Sequence, residues 1–373
     1  MSEVKRAIGF MSGTSMDGVD ITLIESDGES IIRRGEGYLR VYTDAERQLI
    51  ETAVAASREL TDRTSRPEPL ALAEQAVTNA HVDAVETYLS LNGLEASEID
   101  VAGFHGQTVL HRPDEALTVQ LGDGALLARK TGIDVVYDLR ANDMLCGGQG
   151  APLVPVYHRA LVRQSKLNLP IAVVNVGGVA NVTWIGGDGD MVAFDTGPGN
   201  AMLDDWVSSH TSQRIDADGK LGAKGQVDDA ALKDFLSSSY FSSLPPKSLD
   251  RNDFSLSSIA DLNLEDGAAT LTRFTAEALA LAAQHMPAEP LQWVICGGGA
   301  RNPSMMDAFQ SCLPGPICSA DDLGWSGAFL EAEAFGFLAI RSMLGLPITY
   351  PGTTGVSEPV SGGVLARCEG ADA

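Results

Sequence analysis

The first forty residues alternate apolar and polar positions in three runs, residues 7–11, 19–25 and 31–42, with Ser26-Asp27-Gly28 between the second and the third. Period-two alternation broken by Gly and Asp turns predicts three strands in hairpin order. The spacing then changes. Residues 44–56 and 69–91 carry apolar side chains at helical intervals, among them Leu72, Ala76, Val82, Val85 and Leu89, and predict two helices. Short apolar runs at 101–104 and 133–137 predict further strands, so this half mixes the two element types.

A cluster of turn formers, Gly147-Gly148-Gln149-Gly150-Ala151-Pro152, has the composition of a domain boundary. The pattern after it repeats the opening of the chain. An apolar strand at 171–176 meets Gly177-Gly178, a second strand runs over 182–185, a Gly and Asp turn fills 186–189, and a third strand covers 191–194. This is a weak internal repeat, carried by element order rather than by matching side chains. Helices are predicted at 201–210, 228–238, 268–284 and 326–344, and a strand at 291–296; the tail from Pro347 onward is rich in Gly and Pro and reads as irregular cover. The domains expected are residues 1–150 and 151–345, with 346–373 available to complete the first.

The length of 373 residues agrees with two domains rather than one core. Lys and Arg number 26 against 50 Asp and Glu, a formal charge of −24, so a phosphate backbone would be repelled and nucleic acid is not an expected partner. Apolar residues at 44% leave enough to fill a large core. No run approaches the ~18 apolar residues of a membrane span, and the apolar stretch before Ser12 is too short for a signal peptide. A soluble, cytoplasmic protein is expected. The five cysteines are scattered without a C-x-x-C pair and the histidines lack metal-ligand spacing, so neither a disulfide framework nor a structural metal is expected.

The candidate chemistry lies in the turns. Gly9-Phe10-Met11-Ser12-Gly13-Thr14-Ser15-Met16-Asp17-Gly18-Val19-Asp20 places small and hydroxylated residues at a hairpin tip, where backbone N–H groups can approach an anion. It is not a Walker A loop, because no Gly-Lys-Ser/Thr follows. A plain hairpin would explain Gly-Thr-Ser alone; Asp17 and Asp20 add carboxylates able to hold Mg²⁺ through water or to touch a sugar hydroxyl. Three more glycine turns follow apolar strands, at Gly177-Gly178, Gly197-Pro198-Gly199-Asn200 and Gly297-Gly298-Gly299. Together with Gly13 they suggest a nucleotide gripped from several sides, and none fits G-x-G-x-x-G. Asp195 closes the strand Val192-Ala193-Phe194 and is placed either for general-base work or for an Asx turn. Phe104-His105-Gly106-Gln107-Thr108 offers polar atoms after a strand and reads as a hydrogen-bonded loop.

The stretch 9–20, with His105-Gly106-Gln107-Thr108, the blocks at 147–155, 175–181, 194–200 and 296–302, and their order, resembles the anhydro-N-acetylmuramic acid kinases. The resemblance runs to about Arg341. It implies an α/β protein of two actin-like (ribonuclease H-like) domains, each a mixed five-stranded sheet with flanking helices, and an active site in the interdomain cleft. It implies an enzyme that uses ATP, Mg²⁺ and water to open the 1,6-anhydro ring of its amino sugar while phosphorylating O6. The product is N-acetylmuramic acid 6-phosphate, formed in cell-wall recycling.

By the same resemblance Asp195 is the catalytic aspartate that activates water. Gly13, Thr14, Ser15, Met16, Asp17, Gly18, Val19 and Asp20, with Gly177, Gly178, Gly297, Gly298 and Gly299, would hold ATP. His105, Gln107, Arg140, Asn142, Asp143, Gly197 and Asn200 would face the sugar, and Asp17 and Glu331 the metal. The family commonly reads Arg-x-Arg-Asp where this chain has Arg140-Ala141-Asn142-Asp143, so Asn142 stands in place of a cation. The expected partners are ATP and the sugar, with a homodimer left open. The competing expectations are a nucleotide-dependent actin-like clamp or chaperone domain, or another sugar or acetate kinase.

Overall fold

The computed structural model describes residues 3–13, 15–249 and 253–368; Thr14, one of the candidate nucleotide residues, lies outside them. The chain divides into two compact units, residues up to Gln164 together with those from Phe329 onward, and Ser165–Ala328.

In the first unit β1 (Lys5–Ser12) pairs antiparallel with β2 (Gly18–Ser26), which pairs in the same sense with β3 (Ile31–Arg34) and with β4 (Tyr38–Val41). On its other side β1 runs parallel to β5 (Val101–Arg112), which is parallel to β7 (Val135–Tyr137) and forms a hairpin with β6 (Leu117–Leu121). The central β1 reads as a continuous apolar run, Ala7, Ile8 and Phe10 all being fully buried, because helices cover both faces. One of those helices, Leu330–Met343, lies directly against β1 and β5. Gly9 and Gly103 permit this: a Cβ at either would strike the helix backbone at Ala332 or Phe335.

In the second unit β8 (Ile171–Val176), β9 (Val179–Ile185) and β10 (Met191–Pro198) form an antiparallel meander. Parallel to β8 run β11 (Trp293–Cys296) and then β12 (Ile317–Ser319). Strand order is therefore third, second, first, fourth, fifth in this sheet, and the same order underlies the first sheet. The internal repeat is a repeat of topology.

Several expectations change. The first sheet has eight strands among the described residues, since β4, β6 and a strand from the tail, β13 (Val364–Ala366), add to the repeated five. The run 31–42 breaks into β3 and β4 at Gly35-Glu36-Gly37, where Gly37 lies against the Phe329 ring. The boundary falls after Gln164 rather than at 150, because helix Pro155–Ser165 stays with the first unit. Helix Leu330–Met343 belongs to the first unit as well, its buried face being made for β1 and β5. The tail completes that unit through β13 on β7.

Candidate active site

In the second unit the three glycine turns meet. The β8–β9 turn accepts backbone hydrogen bonds from the turn after β10: Asn200 N to Gly177 O at 2.7 Å, Gly199 N to Gly178 O at 2.9 Å and Ala201 N to Gly178 O at 3.1 Å. Asn200 Nδ2 donates to Val176 O at 3.0 Å, and Gly298 lies beside the same amide. Side chains at 199, 297 and 299 would collide with neighbouring backbone or with Val176, whereas a Cβ at Gly177 or Gly178 would meet only ordinary contacts at 3.5 Å or more. Exposed glycine backbone at strand ends is the kind of surface an anionic phosphate can approach closely. Asn200 is thus spent on joining turns, and Gly197 packs against Ala278.

Asp195 sits inside β10, not at its end. It pairs with Asn181, and the register slips by one residue before Gly197, a bulge of the kind that re-aims a side chain beside a functional site. The backbone is fixed from a distant segment: Tyr240 Oη donates to Asp195 O at 2.6 Å, Asp195 N to Lys247 O at 3.1 Å, and Leu249 N to Asp195 Oδ2 at 2.8 Å. Burial pushes the Tyr240 phenol up, and the Asp195 charge adds to it, so Tyr240 remains a donor. Lys247 lies 4.5 Å over the Tyr240 ring and burial lowers its pKa. Sequence reasoning missed Tyr240 and Lys247; no spacing links them to Asp195.

In the first unit the turn after β1 is held by β5. Ser12 Oγ donates to Gly106 O at 3.1 Å and Gln107 Nε2 to Gly13 O at 3.0 Å. Gly13 has ordinary dihedrals and room around it, the nearest atom to an added Cβ being Ser15 Oγ at 3.8 Å. Met16 takes a left-handed φ of 55° as its N–H closes the turn on Gly13 O. Ser15 and Asp17 are exposed, and Asp17 O accepts from Tyr42 N at 2.9 Å. Gly18, Val19 and Asp20 are strand residues of β2, with Val19 buried, so only the tip of the segment is available as a turn.

His105 and Gln107 lie within β5, where a loop was expected. His105 packs on Phe335 and its Nε2 accepts from Arg140 Nη2 at 2.8 Å, while Arg140 Nη1 donates to Gly150 O at 2.7 Å. Burial, then the Arg140 charge, pushes the His105 pKa well below its usual value; the ring is neutral, and since arginine can only donate, its proton is on Nδ1. Glu331 is half-buried; burial raises its pKa and the Arg140 charge opposes that rise.

The remaining sugar-facing candidates have other duties. Asp143 is buried, with Oδ2 accepting from Gly150 N at 2.7 Å and Oδ1 from Thr354 Oγ1 at 2.6 Å, so it pins the glycine loop that Arg140 grips. Asn142 is exposed and donates to Ser361 O at 2.6 Å in the tail. Its side chain is bound there. Among the described residues no group of three or more His, Cys, Asp or Glu is placed to hold a metal, and no helix is long and apolar enough to cross a membrane.

Two sheets of one strand order, with glycine turns at the ends of their first strands and an aspartate in a bulge, form a duplicated actin-like fold. A family model described as anhydro-N-acetylmuramic acid kinase matches residues 5–367. The chain is 52% identical to an anhydro-N-acetylmuramic acid kinase of Methylobacterium nodulans, over 97% of this chain and 100% of the relative. Proteins of the same description from Methylorubrum populi and Agrobacterium fabrum are 49% and 47% identical, over 98% of this chain and 99% and 100% of theirs. The chain belongs to the anhydro-N-acetylmuramic acid kinase family. It is an enzyme, an ATP-using kinase of a small sugar.

Proposed function

We propose that the chain carries out hydrolytic phosphorylation of 1,6-anhydro-N-acetylmuramic acid with Asp195 as general base. Asp195 takes a proton from water; the water oxygen bonds to C1 as the C1–O6 bond breaks. O6 then attacks the γ-phosphorus, and ADP leaves with N-acetylmuramic acid 6-phosphate as the other product. The observation that carries this reading is the placement of Asp195: a bulge aims it, and Tyr240, Lys247 and Leu249 fix it at backbone and at Oδ2. A base held in one geometry keeps its proton acceptor aligned through the reaction.

The uncrowded backbone at Gly13, Gly177 and Gly178, with the turn at Gly297, Gly298 and Gly299, supports a role in phosphate contact. Ser15, Met16 and Asp17 share that role in the first unit; Gly18, Val19 and Asp20 support it from β2. His105, Gln107 and Arg140 are the sugar-side groups of the first unit, with Asp143 holding the Gly150 that Arg140 grips and Asn142 beside it tied to the tail; Gly197 and Asn200 are the sugar-side residues of the second unit. Asp17 and Glu331 are the carboxylates that would hold Mg²⁺, whose charge offsets that on the β- and γ-oxygens. An exposed and a half-buried carboxylate fit an ion that takes one or two carboxylates and keeps water and phosphate for the rest.

The peptidoglycan-recycling role follows from the substrate, and a cytoplasmic location follows from the need for ATP. The exposed Ile32, Leu39 and Val41 on β3 and β4 support a homodimer. Coupled ADP release should follow addition of the anhydro sugar and not of plain hexoses; equal rates with glucose would refute the substrate assignment.

A further inference from the structure

Within the first unit, beside β5 and β6 and at the C-terminal end of β7, lies a cavity of about 270 Å³. Its walls include Arg63, Arg66, Phe104, His105, Gln120 and Asp138. The C-terminal ends of parallel strands are where open α/β sheets bind ligands, yet no motif in the sequence pointed to residues 63–66. The two arginines differ. Arg66 is committed: Nε donates to Glu74 at 2.9 Å, Nη1 to Arg63 O at 2.9 Å and Nη2 to Gln120 O at 3.3 Å. Arg63 pairs through Nη2 with Asp138, a residue held at a left-handed φ of 55°, and its Nε is buried with no hydrogen-bond partner. His105 is 5% exposed, and its Nδ1, which carries the ring proton, is likewise buried, with the Gly106 carbonyl near it but no well-formed hydrogen bond.

An unanswered donor on Arg63 and a poorly answered one on His105 among the walls of one cavity leave a place for an acceptor from outside the chain. Phe104 and Leu121 add an apolar side. A short branched acid, with a methyl group beside a carboxylate, matches both. The amino sugar proposed above carries such a group as its lactyl ether, and plain N-acetylglucosamine derivatives do not. We propose that this cavity is the acid-recognition subsite, with Arg63 as the specificity-determining cation and the His105 Nδ1–H as its neutral companion donor. This rests on the substrate class proposed above.

The test compares the anhydro sugar acid with its lactyl carboxamide on wild-type enzyme and on Arg63→Gln, following kcat and KM separately at equal Mg²⁺ and ATP. Loss of one charge-assisted pair should lower the acid-over-amide preference in kcat/KM by about 10- to 100-fold, mainly through KM for the acid, and Arg63→Lys should recover part of it. A fall of equal size on acid and amide would mean that Arg63 only anchors Asp138, and would overturn the subsite. So would an unchanged preference in folded protein. If wild-type enzyme phosphorylates neither compound while an unrelated sugar is turned over, the substrate class itself fails, a result distinct from the loss of preference.

Discussion

The two units repeat one strand order but spend it differently. In the second, the turns at the ends of β8 and β10 are tied to each other through backbone, the turn after β11 packs against Val176 and Asn200, and the backbone of Gly177 and Gly178 is left uncrowded. In the first, the corresponding strand ends carry side chains in a chain of partners: Asp143 holds Gly150, Gly150 holds Arg140, and Arg140 holds a neutral His105. Backbone amides suit any phosphate and need little from the side chains around them. A fixed arrangement of Arg, His and Gln suits one substrate and has to be built. The lesson is that duplication supplies a frame, while what stands at the strand ends, backbone in one copy and side chains in the other, is free to differ.

The sharpest way to break this contrast is at the one side chain of the second unit assigned to chemistry. Asp195→Asn keeps the size of the residue and an oxygen for Leu249 N, but removes the proton acceptor. We expect kcat to fall about 10²- to 10⁴-fold while ATP affinity, measured by calorimetry, is retained. A variant with a tenth or more of the wild-type kcat would take Asp195 out of the base role.

A smaller effect is expected at the glycine turn of the first unit. Gly13→Val meets no neighbour within 3.8 Å of its Cβ, so the fold should survive. The added side chain would stand where phosphate must approach. Nucleotide affinity should weaken about tenfold or more, the scale of a lost charge-assisted hydrogen bond; unchanged affinity in the folded variant would leave this turn without a phosphate role.

The units should also differ in their response to acid. Burial holds His81 and His111 at about 4 and His158 at about 3, and His105 is depressed as well, with Arg140 a further cause for His105 and His111. All four belong to the first unit, and neither histidine of the second is buried. Unfolded histidines take up protons as pH falls through about 6.5, whereas these folded ones do not. The unfolded state then binds more protons, and stability falls with pH by up to about 1.4 kcal/mol per pH unit for each histidine.

Glu333, pushed up to about 7 by burial with its Oε2 accepting from Tyr157 at 2.6 Å, and Glu331, raised the same way, act in the opposite sense. Their protonated forms favour the fold at low pH, and that contribution is lost as pH rises through the folded values. Four histidines outweigh two carboxyls between pH 6.5 and about 4.5. Hydrogen exchange should therefore show protection lost from the first unit before the second on acidification; simultaneous loss would contradict the distinction.

Much of the frame was legible because its hairpins are punctuated. Ser26-Asp27-Gly28 and Gly177-Gly178 mark turns whatever the tertiary context, and the doubled order followed from them. Helix Leu330–Met343 was read correctly as a helix and given to the wrong unit. Its neighbours in sequence say nothing about the glycines at 9 and 103 that receive it. β6 was missed because its hairpin turns on Pro113-Asp114-Glu115 and its run is short. Of the residues proposed for the site, the aspartate and the glycines were chosen by residue type. That Asn142 turns to the tail and Asp143 to Thr354 could not be. Tyr240, Lys247 and Arg63 carry no local signature at all.

The central claim is that water activated by Asp195 attacks C1 while the freed O6 takes the phosphoryl group, and oxygen labelling tests it most directly. Turnover of the intact anhydro sugar in ¹⁸O-water, quenched early to limit anomeric exchange, should place the label at C1 and none in the phosphate. Label in the phosphate would mean that water attacks ATP. An unlabelled sugar phosphate would mean that the ring opens without water, and either result would contradict the role assigned to Asp195.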